Sequence, residues 1–180
     1  MRTAAVISAL ALVLTACAGP ADTPSAACGL TPAEPSGRFA AEDFTELLGT
    51  DPDLVEESYT ATGPCSPAPV RLGCVTAPLV DVGDPRVLTA LGVTAAHRVS
   101  VRGDGGDEDE SALELTGTVL ETPDPAALLE RLAATCTEAE LAEGHLILDT
   151  GEFQAEPDAV VGIETMSTGW HREDVAALLG

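Results

Sequence analysis

The sequence predicts an α+β domain, a mostly antiparallel sheet with helices packed on one face and two disulfides. Three observations carry this. His97 to Gly103 and Ser111 to Glu121 both alternate apolar and polar residues, and a Gly-rich acidic stretch joins them, as in a β-hairpin. Asp84-Pro85 and Asp124-Pro125 each place a capping carboxylate before a proline at the first helical position. Five cysteines are present, and four of them, Cys28, Cys65, Cys74 and Cys136, lie beyond the apolar leader described next.

The chain begins with Met1-Arg2, an uncharged run from Thr3 to Leu14, then Thr15-Ala16-Cys17. Basic, apolar and small residues in that order form a secretory signal. The apolar run is shorter than the ~20 residues a membrane span needs. Leu14-Thr15-Ala16-Cys17 resembles the lipobox of bacterial lipoproteins. The resemblance implies cleavage before Cys17, a thioether lipid on its sulfur and acylation of the new N-terminus. The expected organisation is a signal peptide over 1–16, a lipidated cysteine and flexible tether over 17–37, and one extracytoplasmic domain over 38–180. The tether is rich in Ala, Pro, Ser and Gly and has no apolar period.

Within the domain, Ala40, Phe44, Leu47 and Leu48 form one apolar stripe, predicting a helix over 38–48 that Ser36 caps and Gly49 ends. Residues 56–62 read as extended, and Gly63-Pro64 turns the chain. Three prolines between 65 and 82 restrict that stretch to short or edge strands, such as 70–75. The helix begun by Asp84-Pro85 stops at Gly92, and the hairpin follows. Leu128, Leu129, Leu132 and Cys136 share one face of the helix begun by Asp124-Pro125. An acidic link leads to strands at 145–149 and 159–165, then a last helix over 171–179.

Composition narrows the function. The hydrophobic fraction is 45%, enough for a core, but only 3% is aromatic, so that core is aliphatic. There is no lysine, and after removal of 1–16 seven arginines face 30 acidic residues, a formal charge of −23. Such a surface repels phosphate polymers, which argues against nucleic acid, and it serves solubility. Outside the cytosol an even set of cysteines pairs, and none of the four has the close spacing of structural zinc. Four cysteines permit three pairings. The expected one is Cys65–Cys74 as a local clip and Cys28–Cys136 as a long staple.

No catalytic motif stands out. The loop with Asp104, Asp107, Glu108, Asp109 and Glu110 offers oxygen ligands, so a Ca²⁺ site on Asp104, Asp107 and Asp109 is conceivable, but the spacing is not that of an EF-hand and a solvated loop is the plainer reading. His97 and His145 sit at expected strand starts, where a polar surface role is usual. Trp170 beside His171 reads as a core-closing side chain rather than a binding patch. A G-x-S-x-G elbow is absent, and a chain without lysine has no Ser-x-x-Lys. No cofactor is expected.

The lysine-free, Ala-, Gly- and Arg-rich composition is similar to that of lipoproteins from high-GC Gram-positive bacteria. Cys65, Cys74 and the strand–strand–helix run ending in Leu128-Leu129-Glu130-Arg131-Leu132-Ala133-Ala134-Thr135-Cys136 resemble the sensor-type extracellular domains of mycobacterial receptor kinases and related lipoproteins. That implies recognition of an extracellular ligand or protein partner without catalysis. The expected function is therefore a lipid-anchored, non-enzymatic binding or sensing domain on the outer face of the cell membrane. The alternatives are an envelope hydrolase using carboxylates and an acidic scaffold docking a basic partner. A histidine bonded to a carboxylate and a hydroxyl in one cleft would count against the non-enzymatic reading.

Overall fold

The structure is a computed structural model and describes residues 27–40, 43–44, 53–67, 70, 72, 74, 78–103, 113–165 and 177–179. Its strands are β1 (Gly29–Pro32), β2 (Asp53–Thr62), β3 (Ala95–Gly103), β4 (Leu113–Glu121), β5 (Glu140–Ala142), β6 (His145–Leu148), β7 (Gly151–Ala155) and β8 (Ala159–Thr165). They form one sheet in the order β1-β2-β3-β4-β8-β7-β6-β5, every neighbouring pair antiparallel. The expected hairpin is its centre: β3 and β4 pair from Ala95↔Glu121 to Gly103↔Leu113.

Two α-helices start on the predicted signal. In α1 (Pro85–Leu91) the Asp84 side chain accepts from the Arg86 N–H, and Gly92 ends the helix at φ 71°, a conformation glycine adopts without a Cβ penalty. In α2 (Pro125–Thr135) Asp124 accepts from the Ala127 N–H. One 3₁₀ turn, Ala177–Leu179, falls within the expected last helix; the rest of that helix lies outside the described residues. Only Asp43 and Phe44 of the expected 38–48 helix are described as helical.

Alternation along the strands gives the sheet two apolar faces. Ala96, Leu120, Val160 and Phe153 join Leu88 and Leu91 of α1, Leu128, Leu129 and Leu132 of α2, and Leu79, Val80 and Val82 in one core. Val99, Val101, Leu115, Val119, Val161 and Ile163 join Phe39, Phe44 and Leu179 in the other. These are the Leu120 face and the Val119 face below. Arg38 fastens the cover of the Val119 face. Its guanidinium pairs with Glu156 at 3.0 Å and donates to the Leu179 carbonyl at 2.8 Å.

The disulfides are Cys28–Cys65 and Cys74–Cys136, which corrects the expected Cys65–Cys74 and Cys28–Cys136. The reason is β1, which lies inside the stretch expected to be tether. Gly29 pairs with Thr62, so Cys28 arrives beside the chain just beyond β2, where Cys65 stands. Cys136 caps the C-terminal end of α2 and is buried, as its place in the apolar stripe requires. Two further strands occupy stretches not expected to be extended: β5 in the acidic link, and β7, which fills the space between β6 and β8. A two-residue turn joins β5 to β6, with Glu143 and Gly144 both at positive φ.

Candidate functional site

Three polar constellations stand out on this sheet. The first is built on His97 of β3, on the Val119 face. His97 lies directly opposite Ser58 of β2, and Glu121 of β4 is its diagonal neighbour. Nδ1 meets the Ser58 hydroxyl at 3.1 Å and Nε2 meets the Glu121 carboxylate at 3.2 Å. An ionised carboxylate only accepts, so in the neutral ring Nε2 carries the proton and Nδ1 accepts from Ser58. A base is thus aligned on a hydroxyl and oriented by a carboxylate. This overturns the expectation of a surface histidine: only 4% of His97 is exposed.

The space over Ser58 is nevertheless small. Pro35, Ser36, Gly37 and Phe39 close it from above, leaving a cavity of about 30 Å³ beside Ser58, His97 and Glu56. That holds about one water molecule. A space of that size takes no substrate acyl group, although Ser58 itself is only partly buried.

The second constellation is an open hollow of about 340 Å³ at the opposite end of β2, β3 and β4. Val55, Ser100, Val101, Arg102 and Glu114 line it. Arg102 pairs with Glu114 at 3.2 Å across the hairpin, and Val55, at 59% exposure, is the most exposed large apolar side chain of the described residues. The hollow offers an apolar contact and an exposed ion pair, and it is large enough for a small molecule or a side chain.

The third is buried on the Leu120 face. Glu164 of β8 has no exposed surface, and both its oxygens accept from the Leu79 N–H, at 2.9 and 3.0 Å. Burial pushes its carboxyl up to about 7, against the smaller opposing effects of the Leu79 N–H and the Arg98 charge. The Arg98 guanidinium donates to the Val80 carbonyl at 2.6 Å and pairs with Glu57 at 3.4 Å. Sequence reasoning passed over Glu164. The signal was a lone carboxylate in Val160-Val161-Gly162-Ile163-Glu164-Thr165, a run whose continuous apolar character marks a strand buried on both faces.

The structure does not bring the other expected residues together. His145 opens β6 as expected and bonds Glu152 through Nδ1 at 2.6 Å, away from His97 on the far side of the sheet order. Cys17, Asp104, Asp107, Glu108, Asp109, Glu110, Trp170 and His171 lie outside the described residues. Among the described residues no group of three or more His, Cys, Asp or Glu side chains is placed to hold a metal ion, and no helix is long and apolar enough to cross a membrane. No protein-family model, curated protein or solved structure matches this chain.

Proposed function

We propose that the protein is a lipid-anchored extracytoplasmic domain that binds or senses a ligand or partner and has no catalytic activity. The lipid would sit on Cys17, leaving residues 18–27 as the free leash before the Cys28–Cys65 bond. We infer also that α1 and α2 cover the same face of the sheet, since both contribute leucines to the core of the Leu120 face.

The observation that carries this reading is the separation of two ends. Cys28 enters the sheet beside Thr62, the last residue of β2, whereas Val55 and the Arg102–Glu114 pair lie near the first. Seven to nine residue steps of β2 at ~3.3 Å each put the lining of the hollow ~23–30 Å from the point where the leash enters. An acidic domain gains no electrostatic hold on anionic headgroups, so the acyl chains alone would anchor it and leave the hollow facing outward.

The lipid is tested by mass spectrometry of the mature protein. A diacylglyceryl mass on Cys17 that disappears in Cys17→Ala supports the reading, and membrane retention with acylation in that variant would overturn it. The binding end is tested with a photo-crosslinking residue at Val55 or at Thr62 in the producing cell. Adducts from 55 and none from 62 are expected; the reverse pattern would sink the assignment.

A second reading, an envelope hydrolase, draws its support from the Ser58–His97–Glu121 chain. It requires residues 35–39 to move. Labelling of Ser58 by a fluorophosphonate, abolished in Ser58→Ala, would establish it, and an unlabelled native protein would remove it.

A further inference from the structure

We propose that Glu164, Arg98 and residues 78–82 form a proton-operated clasp, closed when the Glu164 carboxyl is protonated and loosened when it ionises. The clasp has two fastenings on one short segment. Glu164 takes the Leu79 N–H and Arg98 gives to the Val80 carbonyl, so a donor and an acceptor of consecutive residues are held by side chains from β8 and β3. Leu79, Val80 and Val82 are buried in the Leu120-face core, which keeps water from Glu164 while the segment is seated.

Ionised Glu164 is poorly served in this enclosure. Among the described residues, β4 presents Thr116 directly and Thr118 and Glu114 on the two diagonals, β7 pairs it with Gly151, and β3 supplies Arg98, while Glu114 is itself paired with Arg102. Arg98 is shared with Glu57 of β2 and with Val80, and Asp81 of the segment itself accepts from the Gly83 N–H. Two buried polar atoms beside Glu164, Arg98 Nε and Thr118 Oγ1, have no hydrogen-bond partner, and Arg98 and Thr118 are register partners. An enclosed carboxylate with one N–H donor carries a desolvation penalty that protonation relieves, as does hydration through opening.

The direction with pH follows by linkage. The closed state keeps its proton up to about 7, whereas a hydrated Glu164 in the open state gives it up near the ordinary glutamate value of 4.5. Opening is therefore independent of pH below that value, rises up to tenfold per unit between the two, and levels off above the upper one. Glu164, Thr116 and Ser100 form one row across the sheet, and Ser100 lines the hollow, so the clasp borders the proposed binding end. A pH effect on ligand capture would rest on that binding reading; the clasp itself does not.

Hydrogen exchange of residues 79–82 in the intact mature protein, corrected for intrinsic rates, reads the opening directly. Between pH 5 and 7.5 the opening constant is expected to rise on the order of 50-fold in the native protein and to stay level in Glu164→Gln. Parallel pH dependence in the two proteins would overturn the clasp. If Glu164→Gln does not fold, a carboxyl ¹³C titration of the native protein decides: a Glu164 midpoint near 7 supports the proposal and one at or below about 4.5 overturns it.

Discussion

His97 and Arg98 are sequence neighbours on β3 and serve polar sites on opposite faces of one sheet. On the Val119 face, each ring nitrogen of His97 has a partner, and one of them, Glu121, is half exposed and keeps contact with water. On the Leu120 face, Glu164 is fully enclosed with one N–H donor and a shared arginine. A buried polar group costs little where its hydrogen bonds close, and shifts its protonation where they do not. The same sheet thus holds a satisfied histidine and an under-satisfied carboxyl back to back.

The largest expected difference between the sites is their response to pH. Glu164 has its folded-state pKa raised, so its contribution to stability is fully present below about 4.5 and is lost as pH rises through about 7. The full span is up to about 3 kcal/mol at ~1.4 kcal/mol per unit. Urea unfolding of the native protein at pH 5 and 8 should show that loss, and Glu164→Gln should lack it. Equal losses in both proteins would break the comparison.

The faces should also differ in how firmly they are packed. A Cβ added at Gly162 runs into the Phe153 ring, and one at Gly117 comes within 2.6 Å of the Phe39 ring. Phe153 is fixed in β7 at the register partner of Gly162, whereas Phe39 belongs to a covering segment outside the strands. Gly162→Ala is expected to cost about 3 kcal/mol and Gly117→Ala about 1 kcal/mol by chemical denaturation. Equal costs would mean that the covering segment is as rigid as the sheet.

The smallest effect is expected at Ser58. Ser58→Ala removes one hydroxyl from His97 Nδ1 and should cost about 1 kcal/mol, the ordinary worth of such a bond. It should leave the pH dependence set by Glu164 intact, which separates the two sites in one experiment.

Much of the fold was legible where local chemistry decides. Both Asp-Pro caps, Gly92 and the β3–β4 hairpin behave as their residues require. What escaped depended on distant partners. Gly29-Leu30-Thr31-Pro32 has no period and becomes a strand only because β2 offers an edge; without it the Cys28–Cys65 pairing has no visible cause. The carboxylate of Glu164 was lost among thirty acids, since acid abundance hides the one residue whose surroundings matter. The burial of His97 follows from residues 35–39 crossing that face, which no spacing within β3 encodes.

Arg38 has a consequence for the timing of folding. It bonds a carbonyl 141 residues further along the chain, and Phe39 and Leu179 lie in the same apolar cluster. The valines and isoleucine of that face are therefore only partly covered until residue 179 has emerged from whatever synthesises or translocates the chain. The opposite core has all its strands and both helices by residue 165. A chain that stops short of residue 177 would therefore lack part of the cover of one face and none of the strands and helices that build the other.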